Sequence, residues 1–451
     1  MKAALLRRLP GLAAETSFSE ILTGSVWAMS ARVLATALAM TTSIITARFY
    51  GAEIMGIVAT INAFLGLATT FTLMGTSTSI LRLIPEHMAK YSPGSAHRIY
   101  RKVLFLIAGT GLIAGVILFV ASPFIAGRIY SKPQFMSFFA AASVFVVFMS
   151  LGNLNTQSVR SLKLVRTFAF MQLLSPLCRL LVLLLLTSFW FRPINPVCAL
   201  FSSLVITAVA GTLIVETTFR RKIGIHDKIH DIPVRVIASL SLPMLMTSAM
   251  GLLIGQASVI VLGMFRPVAE VGYYDVAVKM STLTTFLLQA VNVIAAPKFS
   301  ELYYAGRIDD LFRAAHVSAK LIFWSTIPIL LTLVAIGNPL LSLLYGRQFT
   351  ASYTPMLLLL FGQFVNAASG STGYFMNMIG HEKALRNIML VAGLTNVFTN
   401  VLVVPHYGVV GAALACSISL IFWNSCCLLF VKIKYNHFIG YLPFLRSSPR
   451  Q

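Results

Sequence analysis

An all-α integral membrane protein, with about 12 transmembrane helices in two six-helix lobes around a central cavity, is what three features of this sequence predict. First, 57% of the 451 residues are hydrophobic and only 11% charged, with a mean hydropathy of +0.84, where soluble proteins carry roughly a quarter charged residues. A soluble enzyme is excluded. Second, the apolar residues fall into runs that suit helices of about 20 residues. Third, the basic residues gather in alternate connections between those runs. Twelve spans occupy roughly 240 residues and leave about 16 for each tail or connection, too few for a nucleotide-binding or catalytic domain outside the membrane.

Residues 1–20, with Arg7, Arg8 and scattered leucines, read as an interfacial segment on the membrane surface. Span 1 (25–47) carries Arg32 and exceeds the apolar core of a signal sequence, so it stays as a helix. Span 2 (54–80) bears Asn62, Gly66, Thr69 and Thr76. Spans 3 (103–125) and 4 (135–157) follow, then span 5 (168–190) with Pro176 and Arg179, and span 6 (197–216) ends the first lobe, 21–216. The linker 217–236 mixes charge with regularly placed isoleucines and reads as a surface helix joining the lobes. In the second lobe, 237–435, span 7 (237–263) contains Pro243, Gly251 and Gly255, a pattern for a bent helix that serves as a gate or as a static kink. Span 8 (271–296) holds Asp275 and Lys279, and span 9 (315–336) holds Lys320 and Pro328. Span 10 (354–378) places Gln363, Asn366, Gly370, Gly373 and Asn377 on one face by their spacing. Spans 11 (387–404), with Asn396 and Asn400, and 12 (408–431) precede a basic tail, 436–451.

The formal charge of +22 points either to nucleic acid or to an anionic membrane surface. Its distribution decides. Of the 35 Lys and Arg, 25 lie on the side of the termini and 6 on the other, the remaining 4 being within or at the rim of spans. By the positive-inside rule both termini are cytoplasmic, the charge is topological, and no nucleic-acid partner is expected.

Charges inside spans are costly, about 2.5 to 3.5 kcal/mol each at a helix centre, and therefore face a bundle interior or an aqueous cavity. Arg32, Arg179, Lys279 and Lys320 stand against Asp275, which gives a cavity between the lobes a positive field suited to an anionic substrate. Asp275 and Lys279, four residues apart, can also pair, and Lys320 can snorkel to headgroups. The amide-bearing faces of spans 2, 10 and 11 suit either a sugar-binding wall or close helix packing. The corners Phe49-Tyr-Gly-Ala-Glu53-Ile-Met-Gly56 and Met264-Phe-Arg-Pro-Val-Ala-Glu270-Val-Gly272 resemble each other, with their glycines 216 residues apart, a faint sign of duplication.

Catalytic signatures are missing from the sequence. It has no phosphate loop ending in Lys-Ser/Thr. The eight histidines sit in connections or at span ends, and the five cysteines fall in spans without metal-ligand spacing, as packing residues. No cofactor, metal or hydrolytic centre is expected, so transport energy comes from an ion gradient, the membrane potential or the substrate's own gradient.

Several stretches carry a family resemblance: Thr46-Ala-Arg48-Phe-Tyr-Gly51-Ala-Glu-Ile-Met-Gly56; Ser241-Leu-Pro243; Leu262-Gly263-Met-Phe265; Val271-Gly-Tyr-Tyr274-x-x-Ala277-x-Lys279; Ala296-Pro297-x-x-Ser300-Glu-Leu-Tyr303; and Pro405-x-x-Gly408-Val-Val-Gly411-Ala-Ala413. In order and spacing they resemble the Wzx-type oligosaccharide flippases of the multidrug/oligosaccharidyl-lipid/polysaccharide (MOP) exporter superfamily, over residues 20–435. The resemblance implies a cationic central cavity and export of a polyprenyl-diphosphate-linked glycan across the bacterial inner membrane for surface polysaccharide synthesis. Membrane lipids and glycan polymerase or assembly proteins are the implied partners. Arg32 and Lys279 carry over as cavity cations, with Arg179 as neighbour; Asn62, Gln363, Asn366 and Asn377 are the sugar-facing candidates and Asp275 the coupling candidate. Many relatives have an Asp in span 7 where this chain has Gln256 and Ser258, which counts against ion coupling through that helix. The competing readings are an organic-cation antiporter of the same superfamily, which calls for carboxylates in its helices, and a glycan polymerase, which calls for a larger outer connection than 337–353.

Overall fold

The computed structural model describes residues 10–223 and 232–443, with side chains from Trp27 onward apart from positions 243 and 246–248. The start of the N-terminal segment, the middle of the inter-lobe linker, the end of the tail and the Pro243 side chain lie outside the described residues. Among the described residues thirteen α-helices follow in order: α1 (Pro10–Leu73), α2 (Thr76–Lys90), α3 (Pro93–Phe124), α4 (Phe135–Ser161), α5 (Val165–Phe189), α6 (Asn195–Lys222), α7 (Val234–Phe265), α8 (Val268–Thr282), α9 (Thr285–Tyr304), α10 (Ile308–Tyr345), α11 (Tyr353–Ser369), α12 (Thr372–Met378) and α13 (Glu382–Tyr435). Seven of the described helices are long and apolar enough to cross a membrane, and the pair α8 and α9, bent by 48° between them, makes an eighth candidate.

Two of these helices are too long for one crossing. At 1.5 Å per residue the 47 residues Trp27–Leu73 measure about 70 Å and the 54 residues of α13 about 80 Å, each more than twice a bilayer core of about 30 Å. Each turns sharply at a glycine with positive φ, Gly51 (φ 80°, ψ −179°) and Gly408 (φ 53°, ψ −130°), a backbone that a side chain disfavours. The connections expected between spans 1 and 2 and between spans 11 and 12 are thus single-residue corners. At Gly408 there is no room for a Cβ, which would lie 2.3 Å from Glu270 Oε2. Glu270 in turn accepts from Arg266 Nε at 3.0 Å and from the Val409 N–H at 3.2 Å, capping the helix that restarts there.

Three helices expected to be continuous are broken inside. Span 2 breaks at Met74 and Gly75 (φ 46° and 78°), span 8 at Leu283–Thr284, and span 10 at Gly370 (φ 66°, ψ −142°). Clusters of hydroxyl residues and glycine, Gly75-Thr-Ser-Thr-Ser79, Ser281-Thr-Leu-Thr-Thr285 and Ser369-Gly-Ser-Thr372, sit at the breaks, where side-chain hydroxyls replace lost helix bonds: Thr284 Oγ1 donates to Ser281 O at 2.7 Å and Thr372 Oγ1 to Ser369 O at 2.5 Å. Span 3 starts ten residues early, because Ser92 caps it by accepting from the Ser95 N–H and Pro93 occupies its first turn. Residues 10–20 belong to α1, so the surface segment expected over 1–20 is helical and continuous with span 1 from Pro10.

Among the described residues four apolar clusters hold the helices together. One is built almost wholly from the first half near the side of the termini, around Ile84, Tyr100, Leu154 and Phe219, and another from the second half on the same side, around Phe299, Phe312, Phe375 and Val431. Away from the termini the halves share their cores: Ala52, Met55 and Ala59 pack with Leu262, Tyr274 and Val404, and Ile57 and Ile61 with Val268. The halves share cores at one end, while at the other each has its own, Ile237 of α7 being the buried second-half residue in the first-half cluster. Along α3, Leu112, Val116 and Val120 are more than 60% exposed, as a lipid-facing surface requires.

The join has a reciprocal geometry. A Cβ on Gly56 would lie 2.0 Å from Val268 O, and one on Gly272 would lie 2.2 Å from Ala52 O. The pairs 56 with 268 and 272 with 52 exchange under a shift of 216 residues, the offset of the two similar corners. Those corners therefore cross each other backbone to backbone.

Candidate substrate cavity

On α1 the positions Arg32, Thr36, Ala39 and Ser43 recur every three or four residues and share one face. On α5, Gln172 and Arg179 are two turns apart and share another. Arg32, Ala35, Thr36, Ala39 and Gln172 line a space of about 410 Å³ between these helices. Arg32 is exposed to that space, and among the described residues no carboxylate lies within ion-pair distance of it. Arg179 is half-buried and close enough to Asp275 for the two charges to interact.

Eleven residues beyond Arg32 on α1, about 16 Å along the axis, Ser43 reaches the third cation. Lys279 Nζ donates to Ser43 Oγ at 3.1 Å and to Asp275 Oδ2 at 2.6 Å. The Lys279 and Asp275 side chains keep 38% and 21% of their accessible surface, so the pair faces open space and its stabilisation is screened. Along α1 the structure thus places Arg32 beside Gln172 of α5 and, about 16 Å further on, Ser43 beside Lys279 of α8. The Lys279 ammonium is thus paired with a carboxylate, whereas, among the described residues, Arg32 has no such partner.

The expected sugar wall on span 10 does not form as one face. The break at Gly370 puts Asn377 on the separate helix α12, where it is exposed. Asn366 is buried and donates to Gln363 Oε1 at 3.1 Å while accepting from Asn424 Nδ2 at 3.3 Å. Asn396 and Asn400 are both 0% exposed: Asn396 ties the two arms of α13 together by donating to Ala415 O at 3.3 Å, and Asn400 braces it by donating to Asn396 Oδ1 at 3.0 Å. These amides bind helices within the second half. Asn62 is half-buried on α1, one turn from Gly66, whose face meets Leu252 of α7 at 3.6 Å. Lys320 sits over the Tyr441 ring, 5.8 Å from its centroid, where the C-terminal segment crosses α10, rather than in the cavity. α7 is helical without interruption through Gly251 and Gly255, and Gly255 faces open space.

Sequence reasoning missed Gln172 and Ser43, neutral residues that hydropathy cannot separate from packing ones. It also missed Glu216 of α6, whose carboxylate is held by His97 Nε2 at 2.9 Å and Arg101 Nε at 3.2 Å. On α9, the buried oxygens of Gln289 and Asn292 have no hydrogen-bond partner among the described residues.

The probable low-salt glycan biosynthesis flippase Agl15 of Haloferax volcanii is 19% identical over 161 residues, 36% of this chain and 34% of the relative; the chain thus matches about a third of that relative's length. Among solved structures, a lipid II flippase MurJ in an inward closed conformation superposes with a TM-score of 0.72 at 14% identity, over 90% of this chain and 87% of that one. An inward-facing multidrug resistance MATE family transporter of the MOP superfamily gives 0.71 at 13% identity, over 91% and 97%. The fold is therefore that of the MOP-superfamily transporters. Residues 21–303 match the family described as "Polysaccharide biosynthesis protein", and with well over half its length inside that match the chain belongs to this family.

Proposed function

We propose that this protein is a flippase that carries a polyprenyl-diphosphate-linked oligosaccharide across a bacterial inner membrane for surface polysaccharide synthesis. In this reading the chain makes 12 crossings in two six-helix lobes, 21–216 and 237–435, with both termini cytoplasmic and the shared cores at the outer end. What supports it is the charge balance along α1 and its neighbours α5 and α8. Arg32, Arg179 and Lys279 against Asp275 leave two positive charges, and a lipid diphosphate bears about two negative ones. In a site with an effective dielectric of about 20, unit charges about 4 Å apart attract by roughly 4 kcal/mol, enough to hold the headgroup and too little to trap it. A guanidinium also offers its paired N–H groups to phosphate oxygens.

Each residue then has a stated part. Arg32 and Gln172 meet the diphosphate on its arrival from the cytoplasmic side. Arg179 and Lys279 lie deeper, where the phosphate competes with Asp275 for the ammonium. Sugars lie against Asn62, Gln289 and Asn292, and the polyprenyl tail stays in lipid between the lobes. Reorientation of the lobes moves the cavity from one leaflet to the other.

The antiporter reading needs a carboxylate free to receive an organic cation or a proton on the cavity wall. Asp275 is held by Lys279 at 2.6 Å, which favours the anionic substrate. The test is display of surface glycan in cells carrying Arg32→Ala, with membrane protein level measured alongside. Loss of display at normal protein level supports the assignment, and normal display removes Arg32 from transport and the anion-site reading with it.

A further inference from the structure

We propose that Lys132 and Arg48 are positioning residues of the transport cycle: two cations from the first half that clasp helix C-termini of the second half and hold the outer end of the path shut. The inference rests on the flippase reading for the meaning of "outer" and on geometry for everything else.

The last turn of a helix leaves carbonyls without helical partners, and they carry the negative end of the helix dipole. Two such ends of the second half are occupied by first-half cations. Lys132, in the connection between α3 and α4, donates from Nζ to Gly263 O at 2.8 Å and Arg266 O at 2.6 Å, at the end of α7. Beside it Tyr130 donates to Ile260 O at 3.1 Å, and its ring fills the notch at Gly263, where a Cβ would lie 2.7 Å from Tyr130 Cε1. Arg48, at the end of the first arm of α1, donates from Nε to Leu344 O at 2.8 Å and from Nη2 to Leu343 O, at the end of α10.

The two clasps flank the Gly56–Gly272 crossing and are related by the same exchange. The 216-residue offset matches the first arm of α1 with α7. One clasp joins the end of that arm to the end of α10; the other joins the region after α3 to the end of α7. Equivalent junctions are thus closed by the same chemistry from different residues. Burial depresses the pKa of the Lys132 ammonium, with the Glu270 carboxylate acting against that, so this charge is answered mainly by the carbonyls it touches.

Cations on carbonyls suit a seal that must open. On separation both partners regain water, so the clasps strengthen closure beyond the shared apolar cores at little added penalty on opening. Hydrogen bonds from charged groups have net strengths that convert to a roughly tenfold or greater effect on the ratio of shut to open states for Lys132, and less for the exposed Arg48.

The test uses the full chain in inside-in proteoliposomes or intact cells, in a background where Cys178, Cys198, Cys416 and Cys426 are replaced by Ser. Ala59→Cys, 7% exposed in the shared core, is labelled from the outer side with a membrane-impermeant maleimide. In Lys132→Met its labelling should be about tenfold faster, in Lys132→Met with Arg48→Met faster again, and in Lys132→Arg close to the parent. Unchanged labelling in Lys132→Met and the double variant overturns the proposal. So does faster labelling matched by equal acceleration at Cys427, labelled in parallel with a membrane-permeant maleimide and 0% exposed in the far second-half core, because that is general loosening. The readout is accessibility rather than glycan display, so a failed clasp and a failed substrate assignment give different results.

Discussion

Replacing Gly56 with Ala tests the crossing on which the closed end depends. The added methyl would sit 2.0 Å from Val268 O, where real Cβ contacts essentially never fall below 3.0 Å. The obstacle is backbone, so no side chain can swing away, and the helices must part by about 1 Å or bend. Overpacking of this kind costs typically 1–3 kcal/mol. If the outward-open state lacks the contact, that cost falls on the shut state alone, and the shut-to-open ratio drops by roughly 5- to 150-fold, at 1.4 kcal/mol per factor of ten. Gly272→Ala, with 2.2 Å to Ala52 O, should act alike. Because one separation accommodates both methyls, the double variant should fall well short of the sum. Outer-side labelling of Ala59→Cys reads the ratio, and Gly255→Ala, with nothing within 4 Å, is the control. If Gly56→Ala labels like Gly255→Ala, or the double variant is fully additive, the crossing is not the seal.

Two further outcomes separate the cavity from the packing around it. Lys279→Ala leaves Asp275 without its cation and should lower both thermal stability and glycan display, whereas Lys279→Ala with Asp275→Asn should recover stability, read as the thermal midpoint, but not display; recovery of display would make the pair structural. Asn424→Ala removes a donor that is 1% exposed and leaves Asn366 Oδ1 without it, which should destabilise by about 1–3 kcal/mol with display falling only as protein level falls, and a selective loss of display would return that amide cluster to the substrate path.

The helical membrane fold was legible because apolar run length and charge asymmetry reflect the bilayer directly, and Arg32, Asp275 and Lys279 stood out because charge in an apolar run needs a reason. The Gly56 and Gly272 corners were visible as a resemblance, but their contact was not, since an offset in sequence does not say that equivalent segments touch. The breaks at Gly75, Leu283–Thr284 and Gly370 were hidden for a physical reason. In lipid, glycine and hydroxyl residues serve close helix packing as readily as they end a helix. The same ambiguity misplaced Asn366 and Asn377: a helical wheel shows which residues share a face when the helix is continuous, and never what that face meets. Ser43 and Gln172 had no signal at all in the sequence and acquire meaning only beside Lys279 and Arg32.

The two halves are not equivalent at the side of the termini, and the difference predicts where the path opens. In the first half, α2 packs firmly on α7: Ser79 and Ser241 hydroxyls meet at 2.6 Å, a Cβ on Gly75 would lie 2.2 Å from Ser241 O, and Ile237 of α7 belongs to the first-half core. In the second half, α9 makes only slight contact with α1, because the break at Leu283–Thr284 lies nearer the shared end than the break at Met74–Gly75 and turns α9 away. We hypothesise that substrate enters between α1 and α9 while the α2–α7 seam stays closed throughout the cycle. Linking that seam by Ser79→Cys with Ser241→Cys then leaves glycan display intact under oxidising conditions, the hydroxyl separation being close enough for a disulfide with small adjustment. Loss of display on oxidation, restored by a reductant, would show that α2 and α7 must part, and would move the entry path to the opposite side of the cavity.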